Sequence, residues 1–284
     1  MIGAENGRIA FQGELGANSH EACMAAFPNM EPVGYATFEE AFEAVRSGDC
    51  QLGMIPVENS IAGRVADVHH LLPSSGLHIV GERFKPIRFQ LMANRGAKLS
   101  DIKTVSSMAI ALHQCRKSLK KLGVATEAVG DTAGAARALA QNPDPARAAI
   151  APALAAEIYG LDILQRDIED ERHNTTRFLV MTGGKEPARP EFTRKCITSF
   201  VFRVRNLPAA LFKALGGFAT NGVNMIKLES YMEGGAFTAT FFYSEVEGRP
   251  EDRAIALAFD ELKFFSERIE ILGVYPADPF RDRV

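Results

Sequence analysis

Asn174-Thr175-Thr176-Arg177-Phe178-Leu179-Val180-Met181 sets an amide, two hydroxyls and a guanidinium directly before an apolar run. Arginine offers a planar fork of donors, and threonine and asparagine offer short, aimable hydrogen bonds, a combination suited to a carboxylate-bearing ligand. Taken alone, the first five residues fit better a loop that only caps a strand, so the case for a ligand site rests on the rest of the chain. The apolar run bears on the architecture. It gives a chain that has built one lobe a strand on which to return to an earlier one, so the chain crosses twice and leaves a cleft.

The upstream sequence supplies both lobes. Residues 8–12 form a short strand that breaks at Gly13 and Gly16 before a helix opening near Asn18-Ser19 and running to Phe27. A strand, glycine loop and helix in that order point backbone N–H groups at whatever sits over the helix start, which favours an anion, although a simple helix cap also fits. The full dinucleotide fingerprint is absent. Thr37-Phe38-Glu39-Glu40 is a capping box, and Gly48 ends the helix it opens. A buried strand over 52–57 then delivers Glu58, Asn59 and Ser60 to its carboxyl end, where ligands sit in open α/β sheets; capping of a helix over 65–72 is the competing role.

Two strands, 77–84 and 87–93, flank Lys85-Pro86, which marks the crossing into a second lobe. There the pattern predicts a helix over 108–122 capped by Ser107, a strand near 125–129 and an alanine-rich helix opened by Asp131-Thr132. A strand over 148–151 and a helix over 152–159 ended by Gly160 follow. Strands alternating with helices predict a mostly parallel sheet.

Glycine, proline and charge concentrate in residues 183–190, the linker signal of the chain. Beyond it the order is strand (197–204), helix (209–220), strand (223–233), strand (236–245), helix (251–265), strand (269–275), with Gly234-Gly235 as a hairpin turn. That βαββαβ order is the ferredoxin-like sandwich.

A 284-residue chain with 46% hydrophobic and 24% charged content is that of a globular protein. The net charge of −3 and the lack of a basic run argue against nucleic acid or a membrane surface as partner. The N-terminus lacks the pattern of a signal peptide and no stretch reaches membrane-spanning length, so the expected location is cytoplasmic. Cys23, Cys50, Cys115 and Cys196 are widely spaced, which predicts reduced thiols and neither zinc nor disulfides; no metal and no cofactor are expected.

The quoted residues resemble prephenate dehydratases that carry a C-terminal ACT domain. The resemblance runs through the Gly13 to Ser19 loop, Pro56-Val57-Glu58-Asn59-Ser60 with Gly63, Ser107 before Gln114-Cys115, Asp131-Thr132-Ala133, Ala156-Glu157, Tyr159-Gly160-Leu161 and Thr176-Arg177-Phe178. It continues through Asn206-Leu207-Pro208-Ala209-Ala210-Leu211, Gly222-Val223-Asn224-Met225 and Glu229-Ser230. It implies an α/β catalytic region similar to type II periplasmic binding proteins over residues 1–183. One lobe is expected at about 1–85 and 176–183 and the other at about 86–175, followed by a linker (184–195) and an ACT domain (196–284).

The implied reaction converts prephenate to phenylpyruvate, carbon dioxide and water, with L-phenylalanine as effector and a homodimer or homotetramer as the assembly. Thr176 is the implied catalytic residue. Arg177, Asn59, Ser60, Ser107, Ser19, Asn174 and Thr175 are the expected substrate contacts. Arg177 has an ion pair with a structural carboxylate as its competing role, and Glu58 is expected to support the site. Ala209, Ala210, Leu211, Asn224, Glu229 and Ser230 are the expected phenylalanine contacts. Ala209 stands where the family usually has glycine and Tyr231-Met232 where it usually has Arg-Pro, while Ala17 and Met108 replace a usual threonine and histidine. Arogenate dehydratase and a non-catalytic two-lobed carboxylate or amino-acid sensor are the alternatives.

Overall fold

The computed structural model describes residues 6–184, 195–205, 207–232 and 239–283. The chain forms two compact units, one of Ala4–Val68 with Arg83–Phe178 and one built mainly from His69–Glu82 with Leu179–Val284. In chain order the first elements are β1 (Gly7–Gln12), α1 (Asn18–Ala26), β2 (Met30–Tyr35), α2 (Phe38–Ser47), β3 (Leu52–Asn59), β4 (Gly63–Arg64), α3 (Ala66–Leu71) and β5 (His78–Pro86). Next come β6 (Gln90–Ala93), β7 (Thr104–Met108), α4 (Ala109–Gln114), α5 (Arg116–Leu122), β8 (Ala125–Val129), α6 (Thr132–Gln141), β9 (Arg147–Ala151), α7 (Ala153–Tyr159), β10 (Asp162–Gln165) and β11 (Thr175–Thr182).

The first sheet has the order β2-β1-β3-β11-β5 with β4 folded back on β3, and β1 runs parallel to both β2 and β3. The loop after β1 and the residues closing β3 therefore leave the same edge of the sheet. α2 is built as its sequence dictates. Thr37 Oγ1 accepts from Glu40 N at 3.2 Å, Glu40 reaches back to Ala36 N at 3.0 Å, and Gly48 closes the helix with φ 87°.

The second sheet has the order β10-β6-β9-β7-β8. β9 shows why both its faces are covered: Ala148 and Ile150 pack with Val105, Ala111 and Leu119 on one side, and Ala149 and Ala151 with Ala133, Ala136 and Ala155 on the other. Alternation along a strand sends successive residues to opposite faces, and the alanines let α6 and α7 approach closely.

Four expectations need correction here. The sheet is mixed, because β6 enters antiparallel to β9 and pairs antiparallel with the unanticipated β10. The helix expected over 108–122 is two helices parted at Cys115. Asp170 sets the break, since its carboxylate accepts from Lys117 N at 3.1 Å and its own N–H donates to Gln114 O at 2.7 Å. Ser107 is a strand residue that caps no helix; it lies in β7 and its hydroxyl donates to Ile150 O at 2.6 Å. β3 runs on through Glu58 and Asn59 and turns into β4, so these residues form a tight antiparallel return and not the cap of a helix.

The C-terminal elements are β12 (Cys196–Val204), α8 (Ala210–Thr220), β13 (Met225–Met232), β14 (Ala239–Glu247), α9 (Arg253–Phe265) and β15 (Ser266–Pro276). Their order β13-β14-β12-β15, antiparallel throughout, is the expected ferredoxin-like sandwich. Phe200, Phe202, Phe218, Phe242 and Phe259 fill the space between sheet and helices. Within the same unit the fully buried Glu82 accepts from Arg281 Nε at 2.7 Å and Nη2 at 2.9 Å and from Asp278 N at 3.0 Å. A buried carboxylate persists when paired and hydrogen-bonded in this way. Most of the linker and the Gly234-Gly235 turn lie outside the described residues.

Candidate active site

Asn59 is the hub of the site. It closes β3, and its Oδ1 accepts from Ile61 N at 3.0 Å and Ala62 N at 2.8 Å, while Gly63 takes the left-handed conformation (φ 81°) that the return into β4 requires. Two backbone donors on one side chain atom fix which end of the amide is oxygen. The NH2 group therefore faces β11, donating to Asn174 Oδ1 at 2.7 Å, Thr176 Oγ1 at 3.0 Å and Thr175 O at 3.2 Å.

Asn174 is wholly buried and extends the network, its Nδ2 donating to Gln114 Oε1 at 3.1 Å. Gln114 Nε2 in turn points at Asn59 Oδ1, 3.4 Å away. Three amides thus close a ring linking the first sheet to α4 of the second lobe. Gln114 was absent from the expected contacts. Its signal in the sequence was a buried-type polar residue at the end of an otherwise apolar helical run, and the break at Cys115 is what brings it inward.

Ser60 and Thr175 shape the turn. Ser60 Oγ donates to His173 O and accepts from Thr175 N, each at 3.0 Å, and Thr175 Oγ1 donates to His173 O at 3.1 Å. Arg177 is 2% exposed, and its Nη1 donates to Glu58 Oε1 at 2.9 Å. This pair is the competing role given for Arg177, and it agrees with the supporting role expected of Glu58. The fold brings together Asn59, Ser60, Asn174, Thr175, Thr176 and Arg177. Among the described residues no hydrogen bond joins Ser107 or Ser19 to this cluster; Ser19 is buried on α1.

Beyond β1, the Gly16 N–H donates to His20 Nδ1 at 2.9 Å, so this backbone donor of the glycine loop has an internal acceptor. Burial holds the His20 pKa below its ordinary value, opposed by the nearby Glu21. Burial also pushes the Cys115 thiol up, with Glu169 and Asp170 adding to it, which leaves that cysteine a poor nucleophile.

In the C-terminal module, Ala209 takes φ 63° directly before α8, followed by Ala210 and Leu211 in its first turn. Asn224 donates to Glu247 Oε2 at 2.8 Å, and Glu229 on β13 lies 3.5 Å from Lys227 Nζ. Ser230 follows it on the same strand.

Two α/β sheets whose residues converge on a cluster of amide, hydroxyl and guanidinium groups, followed along the chain by a ferredoxin-like module, define the class: a two-lobed α/β protein with an appended small module. Comparison with family models matches residues 9–186 to prephenate dehydratase, and the chain belongs to the prephenate dehydratase family. It is 47% identical over 276 residues to a bifunctional N-acyl-homoserine lactone acylase/prephenate dehydratase of Komagataeibacter europaeus, covering 96% of this chain and 97% of that protein. It is 39% identical over 280 residues to arogenate dehydratase/prephenate dehydratase 2 of Arabidopsis thaliana, covering 95% of this chain and 73% of that one. The crystal structure of a prephenate dehydratase from Arthrobacter aurescens in complex with L-Phe matches with a TM-score of 0.86 at 30% identity, over 95% of this chain and 89% of that one.

Proposed function

We propose that the chain is a prephenate dehydratase in which Thr176 assists departure of the ring hydroxyl. Prephenate carries two carboxylates and a hydroxyl on a cyclohexadiene. Loss of carbon dioxide and the hydroxyl makes the ring aromatic, and one proton must be supplied to release the hydroxyl as water. Such a reaction needs positioning and a donor at the departing oxygen more than it needs a covalent intermediate.

The observation that carries this reading is the orientation of Asn59. Its amide can only donate toward Thr176, so Thr176 Oγ1 accepts there and its own proton is directed elsewhere. A hydroxyl that accepts one hydrogen bond is a better donor of the next. Thr176 need not ionise; it stabilises the charge that builds on the leaving oxygen and relays a solvent proton to it. Arg177 supplies the positive charge of the cluster, with Glu58 as its counter-charge, and a substrate carboxylate competes with Glu58 for the guanidinium. Asn174, Thr175 and Ser60 hold the turn that presents them.

In this reading the βαββαβ module is an ACT domain from 196 to 284, joined through 184–195 to a catalytic region of 1–183. L-Phenylalanine binds near Ala209, Ala210, Leu211, Asn224, Glu229 and Ser230, supported by the L-Phe complex of the Arthrobacter relative. The expected setting is a cytoplasmic homodimer or homotetramer. Formation of phenylpyruvate from prephenate tests the activity, and a chain that binds prephenate without turnover would make it a sensor. Arogenate is the second substrate to compare, because the Arabidopsis relative bears both names. The ratio of kcat/KM for the two assigns the substrate, and an N-acyl-homoserine lactone belongs in the same assay, given the Komagataeibacter relative.

A further inference from the structure

The loop of residues 13–17 leaves the same sheet edge as Asn59 and is tied to the second lobe at several points. Glu14 Oε1 accepts from Arg137 Nη2 on α6 at 2.8 Å, and Leu15 O accepts from the Tyr159 hydroxyl at the end of α7 at 2.8 Å. Gly16 has φ 92°, and a methyl added there would lie 2.8 Å from Ala155 Cα. Only glycine fits both that backbone conformation and that approach. One helical turn on, Glu21 Oε1 accepts from Leu154 N at 3.2 Å. The loop and the start of α1 are thus the surface on which α6 and α7 seat.

A single side chain holds the loop in that shape from inside. His20 is 8% exposed and its ring lies parallel to Phe11 of β1, with centroids 5.4 Å apart. Its Nδ1 accepts the Gly16 N–H, which places the imidazole proton on Nε2. An imidazolium has no lone pair to accept with, so the bond exists only while the ring is neutral. The charged groups around it are engaged with one another: Glu21 with Lys85 Nζ of β5 at 2.6 Å, and Glu14 with Arg137 of α6. β1 presents Phe11, and α7 presents Ala155 to the loop.

We propose that His20 is a positioning residue for the reaction: as a neutral acceptor it fixes the 13–17 loop, which leaves the same sheet edge as Asn59, and with it the seating of α6 and α7 on that loop. It touches no reacting atom and acts through Gly16. The inference rests on the proposed dehydratase activity, but one of its readouts does not.

Two variants separate holding the loop from merely filling space. His20→Phe keeps a stackable ring and removes the acceptor, whereas His20→Asn places an amide oxygen close to where Nδ1 stood and does not titrate. Amide hydrogen exchange at Gly16 and the pH profile of prephenate turnover are measured in both. In His20→Phe, Gly16 exchange is expected to accelerate at least about tenfold and kcat/KM to fall by about tenfold, mostly through KM, as expected when binding geometry is lost.

His20→Asn is expected to restore both to within about threefold and to lack the acid limb expected of the wild type as pH falls through the lowered folded value of His20. Wild-type Gly16 exchange in His20→Phe, or an unchanged acid limb in His20→Asn, overturns the proposal. If His20→Phe fails to fold, the Asn variant's acid limb decides. A wild-type chain inactive on prephenate would sink the proposed function, while Gly16 exchange would still judge the role of His20.

Discussion

Asn59 donates through Nδ2 to Thr176 Oγ1 at 3.0 Å, in an orientation set by two backbone N–H groups on the opposite end of the same amide. Asn59→Asp keeps the shape and the Oδ1 acceptor but puts a carboxylate oxygen toward Thr176. The threonine proton is then drawn to Asp, and a negative charge faces a dianionic substrate. We expect kcat/KM for prephenate to fall by at least about a hundredfold, some 2.7 kcal/mol of transition-state stabilisation, with an unchanged circular dichroism spectrum. Near-normal turnover would show that the direction of this hydrogen bond is irrelevant to the chemistry.

Thr176→Val removes the hydroxyl at almost constant volume, leaving the amide of Asn59 with Asn174 Oδ1 and Thr175 O still within reach. The fold should survive for that reason. The loss should appear in kcat more than in KM, because the hydroxyl is assigned to the transition state. Thr176→Ser restores the donor and should recover most of the rate. Steady-state kinetics on the pair decide it, and equal activities in Val and Ser would remove Thr176 from the mechanism.

Arg177 is buried against Glu58 and cannot be replaced by lysine without loss, since the planar fork becomes a point charge on a flexible stem. Arg177→Lys is expected to raise KM for prephenate and to lower the urea midpoint by an amount worth about 1–3 kcal/mol, the scale of a damaged buried charge-assisted bond. A variant with wild-type KM and wild-type stability would leave Arg177 with neither role.

Most of the architecture was legible in the sequence because local signals agreed with tertiary structure. Thr37 and Glu40 cap α2 as their spacing implies, Gly160 closes α7, and the βαββαβ order gave the third sheet. The misses share a cause. The break at Cys115 depends on Asp170, 55 residues away in the chain, supplying a carboxylate to Lys117 N and an N–H to Gln114 O. The turning of Ser107 into β7 likewise depends on a distant carbonyl, that of Ile150. The site was legible to the extent that its residues are adjacent: 174–177 and 58–60 were named, while Gln114 joins them only through the fold.

Ala209 occupies the left-handed region at φ 63°, where a Cβ is disfavoured. Ala209→Gly should relieve that strain. Offset by the greater freedom glycine has in the unfolded chain, the net gain is expected at about 0.5–1 kcal/mol. A raised thermal midpoint, read with a probe of the C-terminal module, checks it. If phenylalanine binds beside this residue, its affinity should rise in the same variant, because the methyl no longer stands on the backbone there. Lower stability would mean that Ala209 packs better than it strains.

The folded state keeps His20 below its ordinary pKa because burial disfavours the charged ring more than Glu21 favours it. The sign of the consequence follows from proton counting. In the window between the depressed folded value and 6.5, the unfolded chain binds the proton and the folded chain does not, so unfolding takes up protons and stability rises with pH. The stabilisation from a neutral His20 is therefore complete above pH 6.5 and is lost as pH falls through the folded value. Urea midpoints collected from neutral pH downward should decline more steeply for the wild type than for His20→Asn, which has nothing to titrate at that position. Parallel declines would mean that His20 becomes protonated without penalty, and that the Gly16 bond is not what acid breaks.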